Sequence, residues 1–149
     1  MAAGLTMESS NLEQFISQFE QYAGENLSTG DTIDKLYIDA HIQLSSLNLE
    51  TINQLKMLEP FGQANPTPVF ATKGVRLAAA PRRVGSKGDH LQITITDNSA
   101  TIRCIGFGMG RLEKKLQENE FFNVAYEAGI NTYNGNSNTQ LMLKDIQFE

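Results

Sequence analysis

Three prolines within EPFGQANPTPVF, residues 59–70, cut this chain into two stretches that cannot share a regular element. Pro60, Pro66 and Pro68 each fix φ, remove a backbone donor and push the residue before them out of helical geometry, so neither a helix nor a central strand can run through. The two sides differ in charge as well as pattern. Residues 1–59 carry two basic and nine acidic side chains, a net of −7, and residues 60–149 carry ten and eight, a net of +2. The overall −5 argues against a polyanion partner only on average. Between residues 73 and 87 stand Lys73, Arg76, Arg82, Arg83 and Lys87 with no acidic residue among them.

The amino-terminal side reads as helical. Leu12, Phe15, Ile16, Phe19 and Tyr22 recur at helical spacing, Ser10 or Asn11 can cap the helix with Glu13 at capping-box distance from Ser10, and Gly24 is expected to stop it. Its apolar stripe has little before it to pack on, which predicts a truncated chain and a dimer through the exposed first helix. Residues 36–44, LYIDAHIQL, alternate Leu36, Ile38, Ala40, Ile42 and Leu44 and predict a lead-in strand, after which Asn48 caps a short helix that ends before Pro60.

Beyond the prolines the signals are strands. Residues 69–77 are β-rich with a bend or bulge at Gly74, and HLQITITD sets Leu91, Ile93 and Ile95 on one face against His90, Gln92, Thr94 and Thr96 on the other. TIRCIGFGM puts Ile102 and Cys104 inward and Arg103 outward. Leu112 and Leu116 mark an amphipathic helix over residues 109–119. FFNVAYEAGI and TQLMLKDIQF follow, joined through the loop NTYNGNSN with its Asn-Gly hairpin signal. The class is mainly β: a five-stranded OB-fold barrel with a helix between strands 3 and 4, preceded by a short α-helical remnant and linker. In such barrels the face of strands 2 and 3 and the loops between strands 1 and 2 and strands 4 and 5 bind ligands. Here those loops are AAAPRRVGSKGD and NTYNGNSN, the second carrying Tyr133.

LEPFGQANPTPVF resembles the Leu-x-Pro-Phe-Gly-x-Gly-Asn-Pro-x-Pro-x-Phe signature of RecJ-type single-stranded-DNA exonucleases, supported by YIDAHIQLSSLN, HLQITITD and IGFGMG. Ala64 stands where the family usually has glycine. AAGLT and the first helix are similar to the end of that family's DHHA1 domain. The resemblance implies that residues 1–30 are a helical remnant of the preceding DHHA1-like domain and residues 31–149 the OB-fold domain with its lead-in strand and helix. It implies single-stranded DNA and the parent enzyme's catalytic core as partners, a role in DNA repair and recombination, and a bacterial cytoplasmic setting. Lys73, Arg76, Arg82, Arg83, Lys87 and Arg103 are then expected at phosphates, His90, Gln92 and Thr94 on the binding face, and Tyr133 under a base. Phe107 is a weaker stacking candidate, because an aromatic in a strand usually fills the core.

Metal catalysis in that family uses an Asp-rich, Asp-His-His-bearing domain, and Mn or Mg is expected there. No such motif is present in this sequence, where Asp31, Asp34 and Asp39 cluster without a histidine motif. His41 and His90 lie about fifty residues apart and Cys104 is the only cysteine, which argues against a zinc centre and rules out an internal disulfide. The chain is read as non-catalytic, with no catalytic or metal residues and no cofactor of its own. No apolar run is long enough for a membrane helix. The alternative reading is a protein-interaction or intramolecular docking module with little DNA affinity, which the net charge of −5 favours. At the prolines, Gly62 is expected to supply a conformation other residues resist, with Pro66 and Pro68 keeping the entry to the first strand extended.

Overall fold

A computed structural model describes residues 4–27 and 35–148 and divides the chain into two compact units, Met1–Leu36 and Tyr37–Glu149. In the first unit, helix α1 spans Leu12–Asn26 after a 3-10 turn at Ser9–Asn11. The expected side-chain cap is not formed at Asn11, and Gly24 does not end the helix, which continues to Asn26. Phe15 and Phe19 stack with centroids 5.7 Å apart, while Leu12, Ile16, Phe19 and Tyr22 are exposed.

The second unit is mainly β. Its strands are β1 (Ala40–His41), β2 (Phe70–Leu77), β3 (Arg82–Val84), β4 (His90–Thr96), β5 (Thr101–Gly106), β6 (Phe122–Tyr133) and β7 (Asn136–Phe148). They form one mixed sheet in the order β1-β2-β6-β7-β5-β4-β3, and a further β2–β4 pairing makes the pairings β2-β6-β7-β5-β4 return to their start. The sheet thus has seven strands where five are expected. The two additional strands are short edge segments: β1 runs parallel to β2, and β3 runs antiparallel to β4 inside what reads as a loop. Helix α2 (Leu49–Leu55) precedes β2, and helix α3 (Glu113–Glu118) lies between β5 and β6.

Local chemistry explains most of these elements. Burial alternates at every residue of β4, with Leu91, Ile93 and Ile95 buried, as a period of two dictates. Gly74 has φ 62° at the register shift between Thr72 and Val75, so the predicted bulge is present where only glycine is unstrained. The Asn48 side chain accepts from the Thr51 amide at 2.9 Å and caps α2. The lead-in is shorter as a strand than its pattern predicts. Leu44 is buried and Ile38, Ala40 and Ile42 are half-buried, but only Ala40 and His41 pair, and the chain then turns into a 3-10 segment, Leu44–Ser46.

The proline stretch turns through side-chain hydrogen bonds. Asn65 Nδ2 donates to the carbonyls of Leu58 (2.7 Å) and Pro60 (3.1 Å), and Gly62 and Asn65 exchange backbone bonds of 2.8 and 3.1 Å. The expectation for Gly62 fails: its φ is not positive, and a Cβ there would meet nothing within 4 Å. Asn65 is the residue that holds the turn.

Inside the sheet, Phe122, Val124 and Tyr126 of β6 meet Leu141, Leu143 and Ile146 of β7 and the β4 isoleucines, with Leu116 of α3 and Leu44 and Leu47 of the lead-in added to the same cluster. Each such aliphatic or aromatic side chain contributes about 1.5–3 kcal/mol on burial. The Thr72 hydroxyl donates to the Ile42 carbonyl at 2.8 Å, so its 2.7 Å contact with the Tyr126 hydroxyl has Tyr126 as donor. Among the described residues no buried side-chain nitrogen or oxygen is left without a partner.

Candidate nucleic-acid interface

The register of β4, β5 and β7 builds an outward face in rows, because residues paired across strands project to the same side. One row is Thr94, Arg103 and Gln140, continued to Gly129 of β6. The next is Arg82, Gln92, Ile105, Met142 and Glu127. On the other side of the Thr94 row come Arg76, Thr96 and Thr101. Three arginines therefore stand on three rows of one face.

The Thr94–Arg103 row forms the floor of a groove of ≈ 1280 Å³. One wall is the lead-in, including Ser45, Asn48 and Glu50. The other is the β6–β7 hairpin, including Asn131, Tyr133, Asn136 and Asn138. This hairpin corrects the reading of NTYNGNSN as a loop. Thr132 pairs with Ser137 and Tyr133 with Asn136, leaving only Asn134 and Gly135 as the turn, at φ 50° and 78°. Positive φ at both central residues is the turn that matches strand twist. The arms are polar and exposed from residue 131 to residue 138, and Tyr133 is 73% exposed.

Of the predicted residues, the groove brings together Thr94, Arg103 and Tyr133. Arg82 and Gln92 lie one row away on the same face, and Arg76 shares that face with its Nη2 donating to Asn98 Oδ1 at 2.8 Å. Lys87 is exposed in the turn between β3 and β4. Lys73 sits at the β2 bulge opposite β6 and belongs to none of these rows. Arg83 pairs with the inward-facing Leu91, and its Nε donates to the Gly88 carbonyl at 2.8 Å. It closes its own turn. His90 is also engaged: Nδ1 accepts from the Gly108 amide at 3.2 Å, and its ring meets Phe107 edge-on at 5.1 Å. Phe107 is 58% exposed, so it does not fill the core.

What the sequence missed is the lead-in wall and the amides that line the hairpin. The run of asparagines in NTYNGNSN was a signal for the second. Nothing local marks the first, because the wall is positioned from a distant turn. Asp97 Oδ2 accepts from the Leu44 amide at 2.8 Å, and Oδ1 accepts from the Ser99 amide at 2.9 Å, the Ser99 hydroxyl at 2.6 Å and the Ala100 amide at 3.2 Å. Burial pushes this carboxyl's pKa upward, but the hydrogen bonds from Ser99, Leu44 and Ala100 outweigh it and hold the group below its ordinary value.

Chemically the groove offers one exposed aromatic ring, several amides and hydroxyls, the Arg103 guanidinium and the Glu50 carboxylate. This set suits a flat heterocycle with polar edges. Among the described residues no group of three His, Cys, Asp or Glu side chains could hold a metal ion; Asp31 and Asp34 lie outside the described residues. Cys104 is buried and its thiol pKa is pushed up by desolvation, which makes it an inert core residue.

Residues 38–145 match a family model described as RecJ OB domain. The single-stranded-DNA-specific exonuclease RecJ of Bacillus subtilis is 29% identical over 145 residues, covering 97% of this chain and 18% of the relative. That of Dickeya dadantii is 25% identical over 149 residues, covering 98% of this chain and 25% of the relative. The chain thus spans a quarter or less of the length of these two relatives. The crystal structure of RecJ from Thermus thermophilus in complex with Mn2+ superposes with a TM-score of 0.74 at 23% identity, covering 98% of this chain and 20% of that one. The Mg2+ complex gives 0.72 at 22%, covering 97% and 21%.

Proposed function

The chain belongs to the RecJ OB domain family, and from that premise we propose that it is the single-stranded-DNA-binding region of a RecJ-like exonuclease and performs no catalysis itself. The observation that carries this reading is the groove, where Tyr133, Thr94 and Arg103 meet on one surface beside the Arg82 row. A base stacks on Tyr133, its edge meets the amides of the hairpin, and Arg103, Arg82 and Lys87 take phosphates. Arg76 and Lys73 add long-range attraction, while Gln92 and His90 complete the face. On this reading the ring β2-β6-β7-β5-β4 is the OB barrel, with β1 and β3 as additions to it.

The strand held here is fed to a metal-dependent core in the parent enzyme, in bacterial cytoplasm and in the service of repair and recombination. Residues 1–30 belong to the domain before the barrel. The stripe of α1 is covered by that core or by a second copy of the chain.

A second reading, a docking module with little DNA affinity, is favoured by the net charge of −5 and by the engagement of Arg76 and Arg83 in hydrogen bonds to their own chain. Fluorescence anisotropy with labelled oligothymidine at two salt concentrations separates the two. The DNA-binding reading expects affinity that falls steeply with salt. Absence of saturable binding at low salt leaves the docking module.

A further inference from the structure

The turn between β4 and β5 contains more polar chemistry than a turn needs. An aspartate that closes its own turn uses one side-chain oxygen, and Oδ1 of Asp97 does this by accepting from Ser99 and Ala100. The second oxygen reaches 53 residues back along the chain to the Leu44 amide. Ser99 extends the contact: its Oγ donates to Asp97 at 2.6 Å and accepts from the Ser45 amide at 3.1 Å. Two successive backbone donors of the 3-10 segment Leu44–Ser46 are therefore received by two side chains of one turn. At the other end of this segment the Thr139 hydroxyl of β7 donates to the Leu47 carbonyl at 2.9 Å.

This segment begins the lead-in wall of the groove, whose opposite wall is the exposed hairpin carrying Tyr133. Among the described residues Asp97 has no ion-pair partner, so its charge is met by N–H and O–H donors alone. Asparagine would keep the turn, but a single acceptor oxygen cannot serve both the turn and Leu44. A wall held before the ligand arrives need not be ordered when it binds.

Building on the DNA-binding reading above, we propose that Asp97, relayed through Ser99, is a positioning residue that sets the lead-in wall of the groove and thereby its affinity for single-stranded nucleic acid. Asp97 touches no ligand in this role. It acts through the Leu44 and Ser45 amides.

The test is Asp97→Asn, read by anisotropy with oligothymidine and by amide hydrogen exchange at Leu44 and Ser45. Removing a negative charge near a polyanion site strengthens binding by simple electrostatics. Positioning predicts the reverse: affinity weaker by roughly three- to tenfold, an unchanged salt slope and faster exchange at both amides. Thr139→Val, at the other end of the segment, should weaken binding similarly, and the double variant should show less than the product of the two effects, because both act through one wall. Ser99→Ala removes the Ser45 bond and the hydroxyl's own bond to Asp97 but keeps the Leu44 bond, and its milder weakening keeps the proposal open to test if Asp97→Asn folds poorly. Variants that bind as the parent does while exchange at Leu44 or Ser45 rises, or that bind more tightly, overturn the proposal and leave the DNA-binding reading standing. A parent that does not bind oligothymidine removes both.

Discussion

Arg83 Nε donates to the Gly88 carbonyl at 2.8 Å across the turn that joins β3 to β4, while Arg82, next to it, pairs in register with the outward-facing Gln92. Two adjacent arginines that look equivalent in sequence have different surroundings. A Cβ on Gly88 would approach Arg83 Nε at 3.3 Å, so the turn and the guanidinium are already closely fitted.

The two charge reversals should therefore separate. Arg82→Glu places repulsion on the face proposed to bind and is expected to weaken oligothymidine binding more than tenfold at low salt. It should also flatten the slope of log affinity against log salt by roughly 0.7 for each phosphate that is no longer neutralised. Its stability change should stay within about 0.5 kcal/mol. Arg83→Glu breaks the turn and is expected to cost about 0.5–1.5 kcal/mol in urea unfolding, with a smaller effect on binding. Equal weakening of binding by the two, with no stability difference, would return Arg83 to the ligand face.

Tyr133→Ala removes an exposed ring from the hairpin and no core packing, since the residue is 73% exposed. The expected loss is about 1–3 kcal/mol of binding with the salt slope nearly unchanged and the thermal midpoint held. A loss that disappears at high salt would mean that the hairpin acts electrostatically and that the base lies elsewhere.

If the chain is the non-catalytic binding region proposed above, no phosphodiester hydrolysis is expected from it with Mg2+ or Mn2+, since a metal mechanism needs a converging ligand set. The measurement is nucleotide release from labelled single strands after repeated purification. Release that follows the protein through point variants would contradict the non-catalytic reading.

The parts legible in sequence are those where one residue type repeats with the period of the backbone. β4 is readable from Leu91, Ile93 and Ile95 because burial on one face is a local pattern, and the bulge at Gly74 because a glycine interrupts a β-rich run. β3 was not, since Arg82 and Arg83 follow a proline with no apolar alternation, and its pairing comes from the neighbouring strand. The arms of the Tyr133 hairpin were hidden for a related reason. Their polar side chains carry no inside-outside signal, so only the Asn-Gly turn stood out. The lead-in wall depends on a hydrogen bond between Asp97 and Leu44, and contacts at such separation leave no trace in spacing. The site was therefore half readable, its floor and its aromatic from pattern and its walls only from tertiary structure.

Tyr126 supplies the last prediction. Its ring is fully buried, its hydroxyl donates to Thr72, and burial pushes its pKa from 10.0 up to about 12. Below pH 10 both folded and unfolded chains keep this proton, and its contribution to stability is complete. As pH rises past 10 the unfolded chain releases the proton first, so stability should fall, by up to about 1.4 kcal/mol per pH unit, until the folded value is reached. Cys104 acts in the same direction from its ordinary 9.0, since burial raises its thiol too. The decisive quantity is thus the difference between parent and Tyr126→Phe. The variant loses one hydrogen bond, about 0.5–1.5 kcal/mol at neutral pH, but leaves Thr72 bonded to the Ile42 carbonyl. Between pH 10 and about 12 its stability should fall less steeply than the parent's, so the two curves converge. Urea unfolding across that range, with tyrosinate absorbance followed in parallel, measures both. Parallel curves would mean that the Tyr126 hydroxyl ionises as readily in the folded chain as in the unfolded one.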